Sequence, residues 1–138
     1  MTAKKWLGRA RFIDREIETL ERTKEETRDR LLKITQSYEF KEAQTTPDPH
    51  KYDKLVEIDD QIDQKKNELV RTKAEIIAVI YFLDDAMQRI TVFDYYVRGM
   101  PLQDIAHEIK YSYRQTRRFH NFGVANIEKF LKKEGILS

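Results

Sequence analysis

The sequence contains no cysteine, so disulfides, zinc ribbons and thiol chemistry are excluded. It has only four glycines and three prolines, too few for the many turns of a sandwich or barrel, and an all-β fold is close to excluded. Long apolar runs are also missing. The longest, Ile76 to Leu83, falls well short of the roughly 20 residues of a membrane-spanning helix. The opening Met-Thr-Ala-Lys-Lys-Trp leads into charged residues rather than an apolar signal core, which predicts a cytoplasmic protein away from membranes. What is abundant is charge. Asp, Glu, Lys and Arg make up 36% of 138 residues, against roughly 25% in an average globular chain. Mean hydropathy is −0.74. That length sets one domain or two small modules.

The net charge of +2 hides an uneven distribution. Residues 1–85 hold 17 Lys+Arg and 19 Asp+Glu, whereas residues 86–138 hold 9 and 5. No acid occurs from Ile109 to Ile127, a stretch that carries Lys110, Arg114, Arg117 and Arg118. A basic segment without acids suits a polyanionic partner or, equally, a solvated helix face.

From Trp6 the positions Trp6, Ala10, Ile13, Ile17, Leu20, Lys24, Thr27, Leu31, Ile34 and Tyr38 follow alternating steps of four and three, a heptad seam broken only by Lys24 and Thr27. Two of the three prolines fall in residues 41–53, where Asp48-Pro49 reads as an N-cap and first helical position. A second seam follows through Tyr52, Leu55, Asp59, Ile62, Lys66, Leu69, Lys73, Ile76, Ile80 and Leu83, widened by Ile58 and Val79. The pattern predicts helices over about 3–38 and 49–83, paired as an antiparallel hairpin occupying residues 1–75. A lone hairpin leaves an apolar side open, for the C-terminal module or a second copy to cover, and a homodimer is expected. The all-round apolar turn 76–83 should be enclosed on every side.

Residues 76–138 read as a separate module. Asp85 and Gln88 fit an N-cap and N3 pair, opening a helix with Met87, Ile90, Phe93 and Val97 on one face. Gly99 ends it. Pro101 opens a short helix with Leu102, Ile105, Ala106 and Ile109 at helical spacing, and Ser112 with Gln115 opens the last helix, which closes on Lys132, Lys133 and Gly135. A short helix, a turn of about three residues and a longer basic helix make helix-turn-helix architecture. On the last helix Thr116, Phe119, Gly123, Ile127 and Phe130 share one side, expected to be core, with Phe119 and Ile105 packed between the two helices. Arg114, Arg117, Arg118 and Asn121 share the other side.

The run from Arg98 through Gly99, Ile105, Ala106, Ile109 and Ser112 to Arg117 resembles region 4 of bacterial sigma factors, over roughly 60 residues. Nearly the whole chain resembles small phage- and prophage-encoded proteins with a helical N-terminal half and a sigma-region-4-like C-terminus carrying Tyr-Ser-Tyr-Arg, here residues 111–114. Some of these are late-gene transcription regulators. Lys110 departs from the family's turn glycine, although a lysine can adopt a left-handed turn at modest cost. Asp94 stands where sigma factors have an apolar residue. The promoter-melting region 2 is missing, so the resemblance implies duplex binding in a bacterial host cell, not a complete initiation factor. It places Tyr113, Arg114, Gln115, Arg117 and Arg118 toward DNA. Gln can read adenine and Arg guanine in the major groove, while Arg118 or Lys110 suits phosphate.

Other chemistry is thin. His50, His107 and His120 have no partner at metal-ligand spacing, and Asp59, Asp60, Asp63 and the pair Asp84-Asp85 read as solvated faces and caps. There is no glycine-rich phosphate loop and no nucleophile constellation, so neither an enzyme nor a cofactor is expected. The sequence reading is therefore an all-α, non-enzymatic regulator of transcription that binds double-stranded DNA, with RNA polymerase a further partner. Two alternatives are a packaging protein of the small-terminase kind, in which the DNA-binding part usually comes first, and an adaptor that contacts polymerase without DNA.

Overall fold

The structure is a computed structural model and describes residues 1–41 and 49–138, apart from the side chains at 35 and 37–41. Every regular element in it is a helix: α1 (Ala3–Leu7), α2 (Arg9–Lys41), α3 (Asp53–Ile80), α4 (Ala86–Tyr96), α5 (Leu102–Ile109) and α6 (Tyr113–Lys133). The chain forms two compact units, one of residues 1–12 with 69–138, the other of residues 13–68.

Two element boundaries differ from the sequence expectation. The first helix is interrupted at Gly8, whose N–H bonds back to Lys4 while Arg11 N–H bonds to the Gly8 carbonyl over only three residues. The next helix starts at Asp53 rather than at residue 49, because Asp53 N–H donates to the His50 carbonyl and closes a turn over residues 49–52. The expected cap at Asp48 and the side chain at seam position Tyr38 lie outside what the structure describes.

In the unit of residues 13–68, the seam residues Ile13 and Ile17 of α2 and Ile58 and Ile62 of α3 are buried, and Leu20, Thr27, Leu31 and Leu55 are half-buried. Two of the four charged seam positions meet each other: Lys24 Nζ lies 2.5 Å from Asp59 Oδ1. Lys65 Nζ reaches Glu16 at 2.8 Å and Glu68 at 3.2 Å, and these two carboxylates raise its pKa. Residue 16 pairs with 65 and residue 24 with 59, as in helices running in opposite directions. Lys66 was expected on the seam but is exposed. The half-buried Lys65 takes the inner position.

The larger unit has one continuous core, in which Leu7, Ile76, Ile80, Val92, Ile127 and Leu131 are almost fully enclosed. Ala3, Trp6, Leu7 and Ala10 belong to it, and α1 packs on α6. Arg9 stacks on the Trp6 ring at 4.5 Å and pairs with Glu75 at 3.1 Å. The turn 76–83 is enclosed on one side only. Ile76, Val79, Ile80 and Leu83 are buried, but Tyr81 and Phe82 are 69% and 65% exposed, because α3 ends at Ile80 and the chain turns outward. Phe82 stacks on Phe130 there, with ring centroids 4.6 Å apart.

The local signals of the last three helices hold. Asp85 Oδ1 accepts from Met87 and Gln88 N–H at 2.8 and 3.1 Å. Ile105 and Ala106 are buried, as their spacing predicts. After α6, Gly135 adopts φ +75°, and the N–H groups of Ile136 and Gly135 bond back to Leu131 and Lys132, a Schellman closure that brings Leu137 into the core.

The inward faces of α4 and α6 are rotated from expectation. On α4 the buried set is Thr91, Val92, Asp94 and Tyr96, while Ile90 is exposed. On α6 it is Thr116, His120, Gly123, Val124, Ile127 and Leu131, and Phe119 and Phe130 are only half-buried. The cause is the crossing of the two helices at Gly123 and Val92, which turns Val92 and His120 inward. Phe119 is drawn instead to the edge of Tyr111, with centroids 5.2 Å apart. The unexpected acid, Asp94, is buried and bonded by Arg98 Nη1 at 3.2 Å.

Candidate nucleic-acid interface

The site is built on the first turns of α6. Ser112 caps the helix, its Oγ accepting from Gln115 N–H at 3.1 Å. The Thr116 hydroxyl donates to the Ser112 carbonyl at 2.9 Å and is fully buried, which fixes the rotation of the first turn. With Thr116 inward, helical geometry turns Arg114, Arg117, Arg118 and Asn121 outward, and all four are exposed. Tyr113 stands exposed at the helix start, and Gln115 is half-buried at the edge of the face.

Lys110 joins them from the turn between α5 and α6. It has φ 62° and ψ 37°, the left-handed conformation that glycine takes more cheaply, and its N–H bonds to the Ala106 carbonyl. Its side chain is exposed. The structure therefore brings together Lys110, Tyr113, Arg114, Arg117, Arg118 and Asn121, with Gln115 at the margin. Among the described residues, Lys110 and the three arginines make no ion pair. Four uncompensated cations on one short surface attract a polyanion.

Behind this face lies an aromatic cluster that sequence reasoning missed. His120 is buried, edge-on to Tyr95 at 4.8 Å and stacked near Tyr96 at 5.6 Å. Its Nδ1 lies 3.1 Å from Asn121 Oδ1, and among the described residues its buried Nε2 has no hydrogen-bond partner. Burial pushes its pKa below the usual 6.5. The Asn121 bond opposes that shift, and the charges of Lys4 and Arg11 reinforce it. Burial also pushes the Tyr96 phenol up to about 12. Spacing carries no signal of the cluster, since Tyr95 and Tyr96 end α4 while His120 comes from α6.

Folding concentrates charge more strongly than a single cut in the sequence suggests. The unit of residues 1–12 and 69–138 holds 15 Lys+Arg and 8 Asp+Glu, net +7, whereas residues 13–68 hold 11 and 16, net −5. The first 13 residues contain Lys4, Lys5, Arg9 and Arg11 and no acid, a signal that was present in the sequence. Among the described residues no helix is long and apolar enough to cross a membrane. The chain matches no family model, no curated protein and no solved structure.

Proposed function

We propose that this chain is a non-enzymatic transcription regulator of the phage or prophage type, in which a long antiparallel hairpin carries a sigma-region-4-like helix-turn-helix that binds double-stranded DNA. The observation that carries this reading is the unpaired Arg114, Arg117 and Arg118 face at the capped start of α6, beside Lys110. In a helix-turn-helix, that end of the second helix meets base edges and phosphates in the major groove. Arg114, nearest the helix start, reads a base. Arg118 contacts phosphate, which positions the protein without specifying sequence.

Affinity for duplex DNA, taken from the region upstream of the protein's own gene and measured against salt, tests the reading. Replacing a base-reading arginine costs roughly 1–3 kcal/mol and relaxes preference at one position, and replacing a phosphate contact lowers the salt slope by about one unit. A parent protein with no salt-dependent binding, or an Arg114/Arg117/Arg118 triple alanine that binds equally well, overturns it.

The regulator acts as a homodimer joined through its long helices, on which Leu32, Ile34 and Val56 are exposed. Light scattering then gives a mass near twice 16.6 kDa, and a monomer at micromolar concentration removes the expectation of a palindromic site. One observation supports the adaptor alternative: the exposed Phe82, stacked on Phe130 beside Asp84 and Asp85, lines a groove suited to a protein partner such as RNA polymerase.

A further inference from the structure

We propose that Arg11 is a second phosphate contact, set in a groove that receives the DNA backbone beside the bases met by α6. The inference rests on the reading of α6 as a duplex binder and extends that surface to a residue from the other end of the chain. The groove is lined by Arg11, Tyr95, Gly99, Pro101, Leu102, Gln103 and Tyr113. Tyr113 is the first residue of α6, so the groove begins where the exposed arginine face ends.

The chemistry of the lining suits a phosphodiester. It contains one cation and no carboxylate. Gly99 presents no side chain, and the space where a Cβ would stand is open. The Tyr113 phenol is exposed and can donate a hydrogen bond. Arg11 is exposed and makes no ion pair among the described residues, unlike Arg9, whose charge is matched by Glu75.

Arg11 is also held in place. Its Nη2 donates to the Tyr95 carbonyl at 2.6 Å, and its Cζ sits 4.3 Å from the Tyr95 ring centroid. A guanidinium has five N–H donors, so one bond to the protein leaves several for a ligand. Fixing the planar group by stacking removes much of the rotamer freedom that an arginine otherwise loses on binding. A stacked, hydrogen-bonded yet unpaired arginine at the edge of a cationic face is a preorganised phosphate clamp.

The test is affinity of the full chain for duplex DNA as a function of salt, for the parent, Arg11→Met, Arg11→Lys and Arg9→Met. Arg11→Met weakens binding to all duplexes alike and lowers the salt slope by about one unit. Arg11→Lys keeps the slope, and Arg9→Met leaves it at the parent value. The slope reports phosphate contacts independently of the fraction of active protein, which separates lost contact from partial unfolding. Arginine-selective labelling with phenylglyoxal, read by peptide mass spectrometry on the unaltered chain, serves if Arg11→Met does not fold: duplex protects Arg11 and leaves Arg28 reactive. A parent slope retained by Arg11→Met, an equal loss in Arg11→Lys, or an unprotected Arg11 overturns the clamp while leaving the α6 reading intact. A parent that does not bind duplex overturns both. A normal slope in the α6 triple alanine together with a reduced slope in Arg11→Met supports the clamp and overturns the α6 reading.

Discussion

Gly123 faces Val92 so closely that a Cβ at position 123 would stand 2.7 Å from Val92 Cγ2. Real Cβ atoms do not approach that near, and Val92 is fully buried on a helix, where a β-branched side chain has one preferred rotamer. The crossing of α4 and α6 therefore depends on a glycine inside a helix, a position where alanine alone would gain about 1 kcal/mol in helix propensity.

Gly123→Ala should thus lower stability, by on the order of 1 kcal/mol, because overpacking costs about 1–3 kcal/mol and outweighs the propensity gain. Denaturant titration measures the change. The Gly123→Ala/Val92→Ala double variant should lose less than the sum of the two single changes, since the second makes room for the first. A higher midpoint for Gly123→Ala alone would remove the close crossing from the account.

At Lys110 the direction reverses. A left-handed residue with a Cβ costs roughly 1–2 kcal/mol, and glycine relieves that while paying about 0.5–1 kcal/mol in unfolded-state freedom. Lys110→Gly is expected to raise the denaturation midpoint slightly and to weaken duplex binding through the lost charge. A clear fall in stability would show that the lysine side chain holds the turn by a contact of its own.

His120 gives a pH dependence with a defined sign. Its pKa is lowered in the fold, chiefly by burial, so the unfolded chain binds a proton more readily than the native one. The neutral ring's contribution is complete above the ordinary value of 6.5 and is lost as pH falls through that value toward the lower native one. Thermal melts of the parent should drop on acidification through this window. The same melts of His120→Phe should be flatter, even if its absolute stability differs. Parallel curves for the two proteins would exclude His120 as the titrating group.

Asp94 and Arg98 form an asymmetric pair. The carboxylate is buried and the guanidinium half exposed. Arg98→Met strands a buried charge and should cost about 1–3 kcal/mol. Asp94→Leu removes the charge together with its need for a partner and should cost less, consistent with measurements on buried ion pairs replaced by apolar residues. Equal losses in the two variants would mean that the ion pair contributes nothing beyond packing.

Local signals were legible in the sequence wherever the physics is local. The caps at Asp85 and Ser112, the closure at Gly135 and the inward face of α5 follow from hydrogen-bonding rules within a few residues. The seam from Ile13 to Leu31 and the positions Ile58 and Ile62 follow from period, and the misfit residues Lys24 and Asp59 were visible as misfits, although not as each other's partners. Periodicity shows which residues share a face but not what that face meets. Trp6 and Ala10 continue the seam by spacing, yet they are buried in the core shared with α6. Phe119 and Phe130 have core chemistry and the right angle, but the tight crossing at Gly123 gives the inner positions to His120 and Leu131. The site fared similarly. The arginine face was readable as a helical stripe, whereas the place of Arg11 beside Tyr113 depends on a contact between chain ends.

The larger unit is assembled from residues 1–12 and 69–138, two stretches that residues 13–68 separate in the sequence. Such a unit is not heritable as one continuous stretch. A crossover between two related genes anywhere within residues 13–68 would join Trp6 and Leu7 of one parent to Ile127 and Leu131 of the other, and selection would have to repair the mismatch in the core. Exchange of the intervening segment as a cassette leaves that core untouched. Lineages that shuffle by recombination should therefore exchange the middle of this protein as a block, while residues 1–12 and 69–138 change in step.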